Sequence, residues 1–234
     1  MAIIKNTLDM SLGIITYDFP HLKTEQVLYR LLTKKEIKDI TLFALPFSER
    51  KKRNVLIPHR PTQTDGISTQ DLANNNDLEF IRWDGVRDIK KCDYYLLTGA
   101  GILAPDVVRN KKIINCHAGI IPSSRGLDSL KWAIYNGIEL GVTLHFLDEN
   151  IDLGEIISIE RTPIYLSDSL SSLARRHYEL EINMLSEFLY YLRNPSVFSM
   201  PINDACLRMP PEIEAEMVKK FDSYKNNFIR KNGT

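Results

Sequence analysis

Short apolar runs alternate with stretches of helical spacing along the first half of this chain, and that alternation restricts the fold more than any other feature. Leu12 to Thr16 is apolar and ends in a turn over Asp18 to Pro20. Thr24 to Lys34 then places Val27, Leu28, Leu31 and Leu32 at the three-to-four-residue interval of an amphipathic helix. Ile40 to Leu45 supplies a second strand, and Tyr94 to Leu97 a later one that runs into Thr98-Gly99-Ala100-Gly101. Ile113 and Ile114 close another apolar run, and Val142 to Leu147 reads as a further strand. Strands and helices alternating at these lengths predict an α/β protein with a mostly parallel twisted sheet and helices on both faces.

Ser129 to Tyr135 reads as a helix after the Arg125-Gly126 loop. A longer helix follows an N-cap at Ser167-Asp168, with Leu170, Leu173, Ala174, Tyr178, Ile182, Leu185, Phe188 and Leu189 on its apolar side. The pattern fades at Asn194-Pro195. Met209-Pro210-Pro211 breaks the chain, and Glu212 to Phe228 regains helical spacing through Ile213, Met217, Phe221 and Tyr224. The expected organisation is one domain over residues 1–194 and a C-terminal extension over 195–234, helical from about 211. That last helix packs back on the domain or onto a second subunit, so a homodimer is one expectation.

Composition narrows the classes of function. The chain has 30 basic and 30 acidic residues, and this neutral balance argues against a nucleic-acid partner. No apolar run approaches the roughly 20 residues that span a bilayer, and Met1 to Leu12 lacks the long apolar stretch of a signal peptide. A cytoplasmic protein without membrane insertion is expected. Cys92, Cys116 and Cys206 lie far apart and form no metal-type pair, so neither a disulfide framework nor a metal site is expected.

Two polar side chains stand where the Ile113-Ile114 run ends. Asn115 and His117 emerge where an open α/β sheet presents its ligands. Asn115 can donate to an oxygen, and His117 can do that or carry a proton. The polar turn after Val142 to Leu147 holds Asp152 and ends at Gly154, so a carboxylate there could face the imidazole. That is the layout of an acyl-transfer site. Strand alternation points Cys116 away from its two neighbours, which favours packing over a nucleophilic role. His145 shares a strand face with Thr143 and reads either as a contact to the reacting group or as a hydrogen-bonded core residue. His177, beside Arg175 and Arg176, reads as part of a solvent face, and His21 and His59 sit in loops that give them no chemistry.

Taken in order, Asn115, His117, Pro122, Arg125-Gly126, Gly141-Val142-Thr143 and Asp152-Leu153-Gly154 resemble the signature of the 10-formyltetrahydrofolate-dependent formyltransferases. That signature is Asn-x-His, a Pro and an Arg-Gly pair, then Gly-Val-Thr and Asp-x-Gly. Ala118 departs from the Pro that many members have after the His, and Leu153 from the usual Thr. Neither position lends a side chain to the chemistry. The resemblance implies a Rossmann-like sheet, 10-formyltetrahydrofolate as formyl donor and catalytic roles for Asn115, His117 and Asp152. It also implies that Gly99, Ile102 and Leu103, with Asp148, Glu149 and Ile151, contact the folate. An amine would attack the formyl carbon directly, with no metal and no covalent enzyme intermediate.

The acceptor follows by elimination within that family. Members that formylate transfer RNA carry a second, nucleic-acid-binding domain, for which a chain ending at 234 leaves no room. Members acting on glycinamide ribonucleotide open with a Gly-Ser-rich phosphate loop, whereas Thr16-Tyr17-Asp18-Phe19-Pro20-His21 here has no Gly and includes an acid. A nucleoside-diphosphate amino sugar is the expected acceptor, with Tyr17, Arg125, His145 and Arg53 as contacts and Tyr17, Phe19, Trp83 or Tyr165 able to stack on its base or sugar. Residues 46 to 66 form the longest irregular stretch, and Arg50, Lys51, Lys52, Arg53 and Arg60 make it basic. It reads equally as a lid over the diphosphate or as a solvated loop. A formyltetrahydrofolate hydrolase using the same three side chains, and a folate-binding protein without catalysis, are the rival classes.

Overall fold

The computed structural model describes residues 10–49, 55–101, 103–109, 111–148 and 154–231. In chain order the elements are β1 (Met10–Tyr17), α1 (Leu22–Leu31), β2 (Ile37–Leu45), α2 (Thr69–Asn74), β3 (Glu79–Arg82), β4 (Tyr94–Leu97), α3 (Pro105–Arg109) and β5 (Ile113–His117). Then follow α4 (Ser129–Asn136), β6 (Gly141–Phe146), β7 (Ile156–Arg161), α5 (Leu170–Ser186), α6 (Phe188–Arg193) and α7 (Pro211–Lys231). The strand order in the sheet is β3-β2-β1-β4-β5-β6-β7. The pairs β1–β2, β1–β4, β2–β3 and β4–β5 are parallel, and β6–β7 is antiparallel. The expected mostly parallel α/β sheet is present.

Two compact units divide the chain. The first comprises residues 1–50, 62–115 and 146–149, and the second 51–61, 116–145 and 150–234. In the first unit Leu12, Ile14 and Ile15 of β1 are fully buried. Such a continuous apolar run suits a parallel strand that is covered on both faces. Gly13 is required by the same packing, since a Cβ there would stand 2.4 Å from Tyr95 Cδ1 and 2.9 Å from Phe43 Cε2. Ile15, Phe43, Trp83, Tyr95, Val107 and Ile113 form this unit's core.

The second unit is built on α4, α5 and α7. Leu130, Ala133 and Ile134 of α4 pack with Leu173 and Ala174 of α5 and with Met217, Phe221, Tyr224 and Phe228 of α7. The spacing that predicted the C-terminal helix is therefore the spacing of its buried stripe. Ser169 caps α5 in a reciprocal capping box with Ser172, and α5 stops at Ser186 before α6 begins at Phe188.

The structure corrects several readings. The edge strand β3 and the antiparallel β7 were not expected. Trp83 is not a stacking surface, because it is 4% exposed in the first core and its Nε1 donates to Arg87 O at 2.7 Å. His177 is not on a solvent face: it is 2% exposed and hydrogen-bonded within the second unit. Among the described residues, no helix is long and apolar enough to cross a membrane.

Candidate active site

Strand β4 pairs with both β1 and β5, while the chain leaves β1 for β2 and β3 on the other side. The direction of winding thus reverses between β1 and β4, and open α/β sheets bind ligands beyond the carboxyl ends of strands at such a point. Register puts Ile15 beside Leu97 and Leu97 beside Asn115. Asn115, the Thr98–Gly101 turn and the Thr16–His21 segment therefore share that edge of the first unit.

Hydroxyl groups fasten this edge together. Thr24 Oγ1 lies 2.6 Å from Thr16 Oγ1 and 2.8 Å from Thr98 Oγ1, and Thr98 Oγ1 donates to Ile15 O at 3.1 Å. His21 Nδ1 is 2.9 Å from Thr24 Oγ1. His21, given no role by the sequence, is thereby fixed beside the β4 turn: a Cβ on Gly99 would stand 2.8 Å from Tyr17 Cδ2 and 2.9 Å from His21 Cε1. Tyr17 meets both His21 and Phe47 edge-on, and Phe19 stacks on Phe47 with 4.3 Å between ring centroids. Phe19 remains 39% exposed, which makes the pair an aromatic face that water reaches. Leu103 and Ala100 pack half-buried against the first core. Of the other folate contacts expected, Asp148 is half-buried, while Ile102, Glu149 and Ile151 fall outside the described residues.

His117 ends β5 two residues beyond Asn115, so alternation puts both side chains on one face of the strand and Cys116, 2% exposed, on the other. The His117 ring is buried in the second unit. Its Nε2 is 2.8 Å from Ser124 O and 3.2 Å from Ser129 Oγ. Thr143, Gly119 and Ile121 secure the intervening loop: Thr143 Oγ1 donates to Gly119 O at 2.7 Å and accepts from Ile121 N at 3.0 Å. The Ile121–Pro122 bond is cis. Asp152 and Arg53 fall outside the described residues. His145 is fully buried on β6. Arg125 donates from Nε and Nη2 to Asn203 O at 3.2 and 2.9 Å, which ties its guanidinium to the segment before α7.

Gly119 leaves no room for a side chain. An added Cβ would stand 2.4 Å from Ser124 O and 2.8 Å from His117 Nε2. Gly119→Ala is expected to cost about 1–3 kcal/mol through overcrowding and to displace the histidine, read as a lower denaturation midpoint together with reduced turnover.

A second polar cluster lies in the same unit. His177 Nδ1 is 2.7 Å from Thr162 Oγ1, and its Nε2 is 3.2 Å from Ala118 O. Burial pushes this imidazole down to about 4, although the Ala118 carbonyl and the Glu181 carboxylate favour its charged form. An unfolded histidine titrates near 6.5, so between pH 6.5 and 4 the unfolded chain binds the extra proton. The stability given by the neutral ring is complete above pH 6.5 and is lost as pH falls through 4. Thermal unfolding should show up to about 3 kcal/mol of acid sensitivity across this window, and His177→Gln should flatten the slope.

His59 is likewise pushed down to about 4, by burial first and then by Arg60 and Lys131, against the opposing pull of Asp128. Arg60 Nη2 lies 2.9 Å from Glu181 Oε2. The Arg60–Glu181 ion pair and the hydrogen bond from Ile57 N to Glu214 Oε1 thus hold this part of the basic stretch on the second unit, which loop composition did not reveal.

Residues 83–189 match the formyl transferase family model. Over 214 residues the chain is 27% identical to the methionyl-tRNA formyltransferase of Microcystis aeruginosa, covering 86% of the chain and 62% of that protein. It therefore spans less than two thirds of that relative's length. Among solved structures it is similar to phosphoribosylglycinamide formyltransferase from Anaplasma phagocytophilum, with 20% identity, a TM-score of 0.56, and 78% and 84% of the two chains covered. It is also similar to a sugar N-formyltransferase from a Shewanella species, with 16% identity, a TM-score of 0.56, and 89% and 87% covered. These likenesses establish the Rossmann-like fold.

Proposed function

We propose, from the match of residues 83–189 to the formyl transferase family model, that the chain moves a formyl group from 10-formyltetrahydrofolate to the primary amine of a nucleotide-linked amino sugar. The amine nitrogen attacks the formyl carbon, and the carbonyl π pair moves onto oxygen. Asn115 donates to that oxyanion, and His117 does so once it carries the amine's proton, an effect worth about 3–4 kcal/mol per well-placed donor in other enzymes. His117 takes the proton lost by the amine and returns it to the folate nitrogen as the carbon–nitrogen bond to folate breaks. Asp152 assists that proton transfer, directly or through water. The products are the formamide and tetrahydrofolate, so atoms and charge balance. The apolar turn at Ala100 and Leu103 offers the pterin one wall, with Gly99, Ile102, Asp148, Glu149 and Ile151 as its remaining contacts.

The observation that carries the acceptor reading is the aromatic face of Tyr17, Phe19 and Phe47 beside the β4 turn. Stacking on such rings holds a nucleobase without reading its edge, at about 1–3 kcal/mol per base. Arg125 and Arg53 are the further acceptor contacts, whereas the full burial of His145 favours the core reading of that residue. The name of the Microcystis relative supports methionyl-tRNA as the competing acceptor.

The experiment is incubation with 10-formyltetrahydrofolate and a panel of thymidine-, uridine- and guanosine-diphosphate amino sugars, glycinamide ribonucleotide and methionyl-tRNA, following formyl mass gain and tetrahydrofolate release. Formylation of one sugar is expected. Formylation of methionyl-tRNA or the ribonucleotide alone would overturn the acceptor, and folate release without a formylated product would make the protein a hydrolase.

A further inference from the structure

The geometry around His117 points to Ser129 as a positioning residue that, with the Ser124 carbonyl, locks the His117 ring with its proton on Nε2, so that every proton exchanged in turnover passes through Nδ1. This rests on the formyl-transfer reading only for its kinetic consequence. A carbonyl oxygen can only accept, so the 2.8 Å contact between Ser124 O and Nε2 requires a hydrogen on Nε2. With an unprotonated Nε2, two lone pairs would face each other in a place that water does not reach, since Ser124 is 3% and Ser129 5% exposed.

The Ser129 hydroxyl fits the same assignment. Its oxygen is 3.2 Å from Nε2 and 3.4 Å from Gly126 O, another group that only accepts. The hydroxyl hydrogen therefore goes to Gly126 O, and an oxygen lone pair takes a share of the Nε2 hydrogen. One N–H is divided between two acceptors on opposite ends of the Ser124–Ser129 segment, and this fixes the ring plane as well as the tautomer. Nε2 keeps its hydrogen whether the ring is neutral or cationic. Nδ1 is the nitrogen that gains the proton of the attacking amine and gives it up to the leaving nitrogen. Ser129 opens α4, so the ring is anchored to a helix rather than only to its own loop.

The test uses the full chain labelled with 15N-histidine, with the His117 resonances assigned by their loss in His117→Asn. Long-range 1H–15N spectra of the neutral ring should show a pyrrole-like Nε2 and a pyridine-like Nδ1 at His117. Ser129→Ala should introduce the second tautomer or broaden both resonances and lower kcat about five-fold, the equivalent of one neutral hydrogen bond, with KM unchanged. Ser129→Thr, which keeps the hydroxyl, should restore both. A pyridine-like Nε2 in the unsubstituted protein would overturn the tautomer, and a Ser129→Ala spectrum identical to the parent's would overturn the role of Ser129. If no acceptor is turned over, the reaction reading fails by itself, because the spectra decide the ring's tautomer without catalysis.

Discussion

Replacing His117 by Asn is expected to lower kcat at least about 10²-fold, the usual contribution of a placed acid–base group, while folate affinity is retained. An amide can donate to an oxyanion but cannot take a proton from the amine and return it. Asn is also too short to satisfy the Ser124 carbonyl, 2.8 Å from Nε2, and still present a second polar atom where Nδ1 stands. The cost in stability should stay near that of one or two hydrogen bonds, about 1–2 kcal/mol, so a folded and inactive protein is the expected result. Steady-state rates with the best acceptor, a folate-binding isotherm and a denaturation curve together check it. Turnover within about ten-fold of the parent would remove His117 from the chemistry, since acid–base groups contribute more than that. Cys116→Ala, on the opposite face of β5, should leave the rate unchanged.

The parts of this molecule legible in the sequence are those written by local periodicity. Strands β1, β4 and β5 and helices α1, α4 and α7 follow from apolar spacing, because each buries the face that its spacing defines. The edge strand β3, with Glu79 and Arg82 exposed at its ends, has neither a continuous apolar run nor a clean alternation, so nothing local marks it. His177 shows the complementary failure. Its neighbours Arg175 and Arg176 suggest solvent, yet one residue further round the helix the ring meets Thr162 and Ala118, partners that only the tertiary fold supplies. The candidate site divides in the same way. Asn115 and His117 were readable from the strand that ends there. Ser124 and Ser129 were not, because a loop serine and a serine at a helix start carry no pattern until the chain folds back over the imidazole. His21 had a local signal, since Thr24 lies three residues on across the start of α1 and takes its ring nitrogen, but only Gly99 beside it gives that contact a use.

Glu214→Ala is expected to be the most destabilising single substitution outside the candidate site, at about 3–5 kcal/mol. Lys131 of α4 and Glu214 in the first turn of α7 are 1% and 2% exposed, with Nζ 2.5 Å from Oε1. Oε1 also accepts from Ile57 N at 3.0 Å, so one carboxylate joins α4, α7 and the 55–61 segment. Burial raises the Glu214 pKa, but Lys131 and the backbone amides of Ile57 and Leu56 outweigh it and the net direction is down. The carboxylate is therefore charged in the folded protein, and the start of α7 favours that charge. Removing it strands an ammonium with no path to water. Exchanging both partners for apolar residues, Lys131→Met with Glu214→Leu, deletes the desolvated charges and should recover most of the loss, short of the Ile57 amide, which stays without its acceptor at about 1–3 kcal/mol. Denaturant unfolding of the two single variants and the double variant measures the coupling, and hydrogen exchange at Ile57 reports whether the segment has come away. A single-variant cost below about 1 kcal/mol, the range of exposed pairs, would mean that water reaches the pair and that it does not hold the three segments together.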